Sequence, residues 1–256
     1  MDNIVKKYLE ICNSEFSQYG FKQHKRAFVR VVNDVVQIFA IEKSRFYKEY
    51  KVVFAIIPLC LRIEKHYVKG SVYSKSLRRL EYAEWALKGD CWKYDPKSNR
   101  SIDECVESII TQVTKHLIPL FKRADSCKTA YNELCEVDKI VFGSIKPDGS
   151  DSKYFKDGVF LLDNVKYYIA LKNGNYDIAL DYLRAFEQQN EKSFDSIVKM
   201  GYLKDKECIR REKILVDLRK EIERISKQEE HHMANLQKLL KDNEEHSITN
   251  LSKFIT

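Results

Sequence analysis

Between Gly20 and Leu61 the chain reads GFKQHKRAFVRVVNDVVQIFAIEKSRFYKEYKVVFAIIPLCL, dense in Val, Ile and Phe. These side chains suit a pleated, half-buried surface, and the stretch reads as three antiparallel strands with basic edges. Asn33-Asp34 sits between two apolar runs, and both residues tolerate the backbone of a two-residue hairpin turn. Such a turn fixes the register: Val32 opposite Val35, Val31 opposite Val36, Arg30 opposite Gln37 and Phe28 opposite Phe39. Alternation then makes two faces. One carries Val29, Val31, Val36, Ile38 and Ala40 and should meet the core. The other carries Phe28, Arg30, Val32, Val35, Gln37, Phe39 and Ile41, and is either half covered by a helix or presented to a partner. The third strand, Tyr50 to Leu61, is almost continuously apolar and is expected to be central. Pro58 lacks an amide donor and belongs near its end or at a bulge.

A chain of 256 residues holds one large domain or two smaller ones, either able to bury a core. Hydrophobic residues make up 44%, which excludes wholesale disorder. Only eight Gly and four Pro argue for few loops and much helix. No run approaches the roughly 20 apolar residues of a membrane span. The start, MDNIVKKYLEICNSEF, is amphipathic without a signal-peptide core, so a cytoplasmic protein is expected. The seven cysteines, Cys12, Cys60, Cys91, Cys105, Cys127, Cys135 and Cys208, form no C-x-x-C pair and read as reduced, buried thiols rather than a metal site. The net charge of +7 is concentrated in the first half. Residues 20–80 hold 14 Lys and Arg against 4 Asp and Glu, a net of +10. An acidic partner or nucleic acid is conceivable there, although edge strands also carry Lys and Arg simply to block aggregation.

Ahead of the strands, Ile4, Val5, Tyr8, Leu9, Cys12 and Phe16 follow helical spacing. A helix is expected from Asp2 to about Tyr19, capped by Asp2 or Asn3 and ended by Gly20. After Leu61 come a basic connection, Arg62 to Ser76, and a helix over Leu77 to Leu87. Cys91 to Tyr94 is a candidate last strand. Ser101-Ile102-Asp103-Glu104 reads as a capping box opening a helix to about Phe121, with Pro119 forcing a kink or an early end. A short helix follows from Cys127 to Val137.

The runs GFKQHKRAFVRVVNDVVQIFAIEKSRF, LRRLEYAEWALKGDCWKY and DECVESIITQVTKHLIPLFKR resemble the uncharacterised bacterial family known as domain of unknown function 4304. Gly20-Phe21-Lys22, Phe28-Val29-Arg30, Val36-Gln37, Lys43-Ser44-Arg45 and Trp92 carry the resemblance. A doubled tryptophan would be more typical of the family than Cys91-Trp92. The resemblance spans residues 1 to about 135. It implies an α+β domain with no established activity and no catalytic residue to place.

Gly143 to Gly158 collects three of the eight glycines with Pro147 and is the expected linker between residues 1–142 and 159–256. Beyond it strands disappear. A helix hairpin is expected over 159–190, with helices Val159–Leu171 and Tyr176–Gln188 joined by Lys172-Asn173-Gly174-Asn175. YYIALKNGNYDIALDYLRAF is similar to the turn of a tetratricopeptide hairpin at Ala170, Gly174, Tyr176, Ala179 and Leu180, but one unit does not make an array. A third helix is expected from Ser193 to Gly201. From Asp205 to about Glu245 no Gly or Pro occurs, and Leu215, Leu218, Ile222, Ile225, Glu229, His232, Leu236 and Leu239 repeat at heptad spacing. A single helix of about 60 Å is expected, a coiled-coil arm filled from within the chain or by another copy.

No nucleotide-binding loop, nucleophile elbow or metal clip is present, so no catalytic residue, metal or cofactor is expected. Glu229-x-x-His232 has di-iron spacing without the second copy such sites need. The one constellation suggesting recognition is Phe28, Arg30, Gln37 and Phe39 on a sheet face, with Lys43, Arg45, Arg78, Arg79 and Trp92 around it. It could stack bases and bind phosphates, or grip an acidic protein surface, or be core. The sequence therefore reads as an α+β domain with an antiparallel sheet and flanking helices, followed by an all-helical extension. A non-enzymatic protein-binding module is expected, in a setting such as bacterial immunity or defence. Self-association would run through Leu215, Leu218, Ile222, Ile225, Leu236 and Leu239. The alternatives are a nucleic-acid binder using the basic sheet face and an enzyme on a small acidic substrate.

Overall fold

The computed structural model describes residues 2–43, 49–63, 75–76, 92–142, 164–199 and 205–255. The expected helix at Leu77–Leu87 and the linker Gly143–Gly158 lie outside them. The chain divides into two units. The first is Met1–Gly143 together with Asn243–Thr256, and the second is Ser144–Asp242.

The first unit is built on an antiparallel sheet in the order β1 (Lys22–His24), β2 (Ala27–Val32), β3 (Val35–Lys43), β4 (Glu49–Pro58) and β5 (Lys75–Ser76), with β6 (Trp92–Lys93) also on β4. The Asn33-Asp34 turn sets the expected register, Val32 against Val35 through Phe28 against Phe39. Asn33 takes the left-handed conformation, φ 48°, that such a turn requires. β4 is central, paired with β3 on one side and with β5 and β6 on the other. Pro58 is its last residue, where no ladder amide is needed. The short β1 was not legible, because Lys22-Gln23-His24 has no β-forming apolar residue.

Helix α1 (Asn3–Phe16) buries Ile4, Val5, Tyr8, Leu9, Cys12 and Phe16, the residues its spacing selects. A further 3-10 turn and Gly20 at φ 81° end it. Gly20 N bonds Ser17 O and Phe21 N bonds Phe16 O, a Schellman termination. Helix α2 (Asn99–Gln112) starts earlier than the expected box. Ser98, not Ser101, caps it by accepting from Ser101 N at 3.1 Å, while Ser101 Oγ accepts from Asp95 N. A wide π turn, Val113–Leu117, leads into α3 (Ile118–Arg123). Pro119 explains it: the ring has no amide to donate and crowds the carbonyl four residues back, and the widened turn accommodates both. Helix α4 is Cys127–Phe142.

These helices cover the aromatic face of the sheet. Phe39 lies at the centre, with ring centroids 5.4 Å from Phe16, 5.1 Å from Phe21, 5.2 Å from Phe28 and 6.4 Å from Phe121. The other face is aliphatic. Ala27, Val29, Val31, Val36, Ile38, Ala40, Val53, Ala55 and Ile57 form one buried cluster, and Leu251 and Phe254 from the far end of the chain pack into it.

In the second unit, α5 (Asn164–Lys172) and α6 (Tyr176–Lys199) form the expected hairpin. Gly174, φ 71°, closes α5 with the same Schellman bonds, to Leu171 O and, from Asn175, to Ala170 O. α6 absorbs the separate helix expected from Ser193. The long helix does not form as one rod. Helix α7 (Asp205–Ser226) stops, and α8 (Glu230–Leu251) begins after Lys227-Gln228-Glu229. Gln228 N bonds Ile225 O, Glu229 N bonds Arg224 O, and Gln228 sits at φ 47°. This is a third Schellman termination, with Gln where Gly is usual, so neither Gly nor Pro marks the break.

A side chain in that left-handed position costs about 1 kcal/mol. Gln228→Gly is expected to stabilise the second unit by about 0.5–1 kcal/mol, read as a higher midpoint in a far-ultraviolet circular dichroism melt. A lower midpoint would contradict the termination.

Candidate functional site

The face carrying Phe28, Gln37 and Phe39 is expected from sequence to be either covered or presented to a partner. All three are fully buried, so they do not form a binding surface: α1 and α3 lay their own aromatics on this face. Arg30 is half-buried and bonded through each of its three nitrogens. Its Nε donates to Gln37 Oε1 at 2.5 Å, Nη1 to Tyr19 O at 2.8 Å and Nη2 to Phe121 O at 3.4 Å. The guanidinium also lies 4.8 Å over the Phe21 ring. Burial pulls Arg30 down from its ordinary pKa, and Asp125 opposes the change. Gln37 Nε2 completes the network by donating to Phe121 O at 2.7 Å and Ala124 O at 2.8 Å, carbonyls at the end of α3. Arg30 and Gln37, opposite each other in the register, thus tie the sheet to two helix ends.

The remaining residues of that constellation separate. Trp92 is buried and donates to Ser108 Oγ at 3.1 Å. Lys43 reaches Asp2 Oδ2 at 2.9 Å, and the Tyr50 hydroxyl donates to the same oxygen at 2.5 Å. Asp2 stands at the start of α1 but does not cap it; its carboxylate faces the sheet edge instead. The Tyr50 and Lys43 bonds hold Asp2 below the ordinary carboxylate pKa. Arg45, Arg78 and Arg79 lie outside the described residues.

Burial pushes Cys12 up, and the Cys60 thiol together with burial pushes Cys127 up. Among the described residues no three His, Cys, Asp or Glu side chains converge as metal ligands. Glu229 falls in the α7–α8 break, and His232 Nε2 meets Glu221 Oε1 at 3.2 Å. No described helix is long and apolar enough to cross a membrane.

The heptad seam is filled from within. α7 runs along α6, with Arg219 paired to Glu187 at 2.7 Å and to Glu191. Leu215, Ile225 and Leu236 are buried, Leu218 and Ile222 half-buried, and only Leu239 of the six is exposed. Within the chain, burial therefore covers Leu215, Ile225 and Leu236 and leaves Leu218, Ile222 and Leu239 at least partly exposed.

The opposite pole of α7 was not singled out from sequence. Ile209 is 65% exposed and Val216 46%. Lys213 and Lys220, also exposed, share their face at i, i+4, i+7 and i+11. A solvent pole normally carries polar residues, and β-branched side chains add nothing to helix propensity. The signal was present in the sequence, hidden by the stronger heptad seam on the other side of the helix.

The first unit is, by its fold, an α+β domain with helices across one face of an antiparallel sheet. Its residues 12–123 match the model of the family described as Domain of unknown function (DUF4304), the family that its strands and Trp92 segment resemble. No curated protein and no solved structure matches the chain.

Two outcomes test the assignments of these polar residues. Gln37→Ala leaves Arg30 Nε and two helix-end carbonyls without this partner, and is expected to cost roughly 3 kcal/mol in urea unfolding followed by tryptophan fluorescence. Asp2 has a lowered folded pKa, so its contribution is full above 3.8 and is lost as pH falls through the lowered value. The pair is solvent-screened, so its contribution is small. The melting-temperature gap between wild type and Asp2→Ala should be constant from pH 5 to 7 and close towards pH 2. A gap independent of pH would contradict the ion pair.

Proposed function

We propose that the protein is a non-enzymatic protein-binding module and that the solvent pole of α7 is its recognition surface. The observation that carries this reading is the exposed stripe Ile209, Lys213, Val216 and Lys220. Apolar anchors two turns apart on one face of a helix, here Ile209 and Val216 at i and i+7, are a pattern of helix-to-helix recognition. The interleaved lysines favour an acidic amphipathic helix as the partner, since rim charges of opposite sign guide and orient the encounter.

The other readings lose support from the same geometry. Base stacking needs open rings, and Phe28 and Phe39 are buried. An anion pocket centred on Arg30 needs a free guanidinium, and Arg30 is committed to Gln37, Tyr19 and Phe121.

Affinity capture from cells producing the chain tests the reading, with wild type and the double variant Ile209→Glu, Val216→Glu run side by side. Both residues are exposed, so the variant should keep its helical spectrum. The expected result is a stoichiometric protein, identified by mass spectrometry, that the variant loses by at least tenfold. Equal recovery by both chains, or recovery of nucleic acid that high salt removes, would contradict it.

A further inference from the structure

The aliphatic face of the sheet is covered by a segment from outside the region that matches the family. That region ends at residue 123, and the covering segment begins at Asn243. The segment is held by three kinds of contact. Leu251 and Phe254 insert into the buried cluster of Ala27, Val29, Val31, Val36, Ile38 and their neighbours. Asn243, Ser247 and Asn250, at i, i+4 and i+7, bond main chain just after β4, and Asn250 Nδ2 also lies 2.9 Å from His246 Nε2 within the segment itself. Asn243 Nδ2 donates to Cys60 O at 3.0 Å and Asn250 Nδ2 to Ile63 O at 3.2 Å. Ser247 Oγ donates to Leu59 O and accepts from Ile63 N, both at 2.7 Å. Finally the tail turns extended, Ile255 bridges Val31 in parallel, and Lys22 Nζ donates to Ile255 O at 2.9 Å.

We propose that this face is a binding site for an amphipathic helical segment ending in a short strand, and that Asn243–Thr256 occupies it as a ligand built into the chain. The occupant competing for it is a partner segment of the same chemistry. It carries Leu and Phe three residues apart, small amide or hydroxyl side chains one, four and eight residues before the Leu, and an extended tail that adds to β2.

Three observations favour recognition over mere core. The polar anchors read carbonyls and an amide of the domain, so any segment with this pattern satisfies them without a matching side chain opposite. The apolar anchors Leu251 and Phe254 stand at i and i+3, a spacing used by segments that seat in a groove. The tail uses the stretch of β2 beyond β1, which spans only Ala27 to Val29 on that edge. A ligand in the same chain competes at an effective concentration of about millimolar, so a partner binds weakly until this segment is displaced. The surface lies in the first unit and does not involve α7, so it stands or falls separately from the α7 stripe.

The test uses a fluorescein-labelled peptide, NEEHSITNLSKFIT, the sequence of residues 243–256, and the full-length chain. Wild type should bind it weakly. The double variant Leu251→Ala, Phe254→Ala weakens the resident segment and should bind at least tenfold more tightly by fluorescence anisotropy. A peptide with the same two alanines should bind neither chain. Ser247→Ala, which removes only one hydroxyl, runs in parallel in case the double variant does not fold, with an expected gain of at least threefold. A folded variant that binds no more tightly than wild type overturns the proposal, as does equal binding of the alanine peptide. A dimer that forms by exchange of the segment, with no uptake of peptide, overturns it in favour of a second copy as occupant.

Discussion

The two-residue turn at Asn33-Asp34 is the constraint on which the first unit depends. It sets the register of β2 on β3, and the register sorts the side chains into an aromatic face and an aliphatic one. A slip of one residue would exchange the two. The turn is also a tertiary junction. Asp34 Oδ1 accepts from Cys127 N at 2.8 Å, capping α4 from across the fold, and Asp34 O accepts from Leu59 N at 2.9 Å. Asn33 Nδ2 reaches Asp125 O at 3.0 Å. One short turn therefore fixes the strands, the start of α4 and the end of β4 to which the chain's last segment is bound.

Each face then needs its own cover. On the aromatic side α1 and α3 supply rings, and Arg30 with Gln37 satisfies carbonyls that would otherwise be buried unpaired. On the aliphatic side the cover comes from the far end of the chain. The boundary between the units falls inside α8, between Asp242 and Asn243. The region that matches the family model is thereby covered by residues more than a hundred positions beyond it.

Much of this was legible in residue pattern. Asn33-Asp34 predicted the register pair by pair, and the apolar run of β4 predicted its central place. Gly20 and Gly174 marked helix ends because glycine takes positive φ without strain. Gln228 makes the same Schellman termination with no such mark, and the heptad spacing continued through it, so two helices read as one. Whether the face of Phe28, Gln37 and Phe39 is covered or open is not legible in the pattern, for a related reason. Alternation identifies which residues share a face but not what covers it, and the cover depends on contacts across 80 or more positions, such as Gln37 with Phe121. The anchors Ser247 and Phe254 were illegible because their partners are main-chain groups and small aliphatics far away in sequence. The α7 stripe is legible at i, i+4, i+7 and i+11, but the heptad seam on the other side of the helix is the stronger pattern.

The central claim is that both faces of the sheet are closed, the second by the chain's own end. Hydrogen–deuterium exchange on the intact chain, resolved to peptides, tests it most directly. Peptides covering residues 27–40 and 243–255 should both be protected and should lose protection together as denaturant is added. Rapid exchange of 243–255 in native buffer, with 27–40 still protected, would show that the aliphatic face does not depend on the segment and would contradict the account.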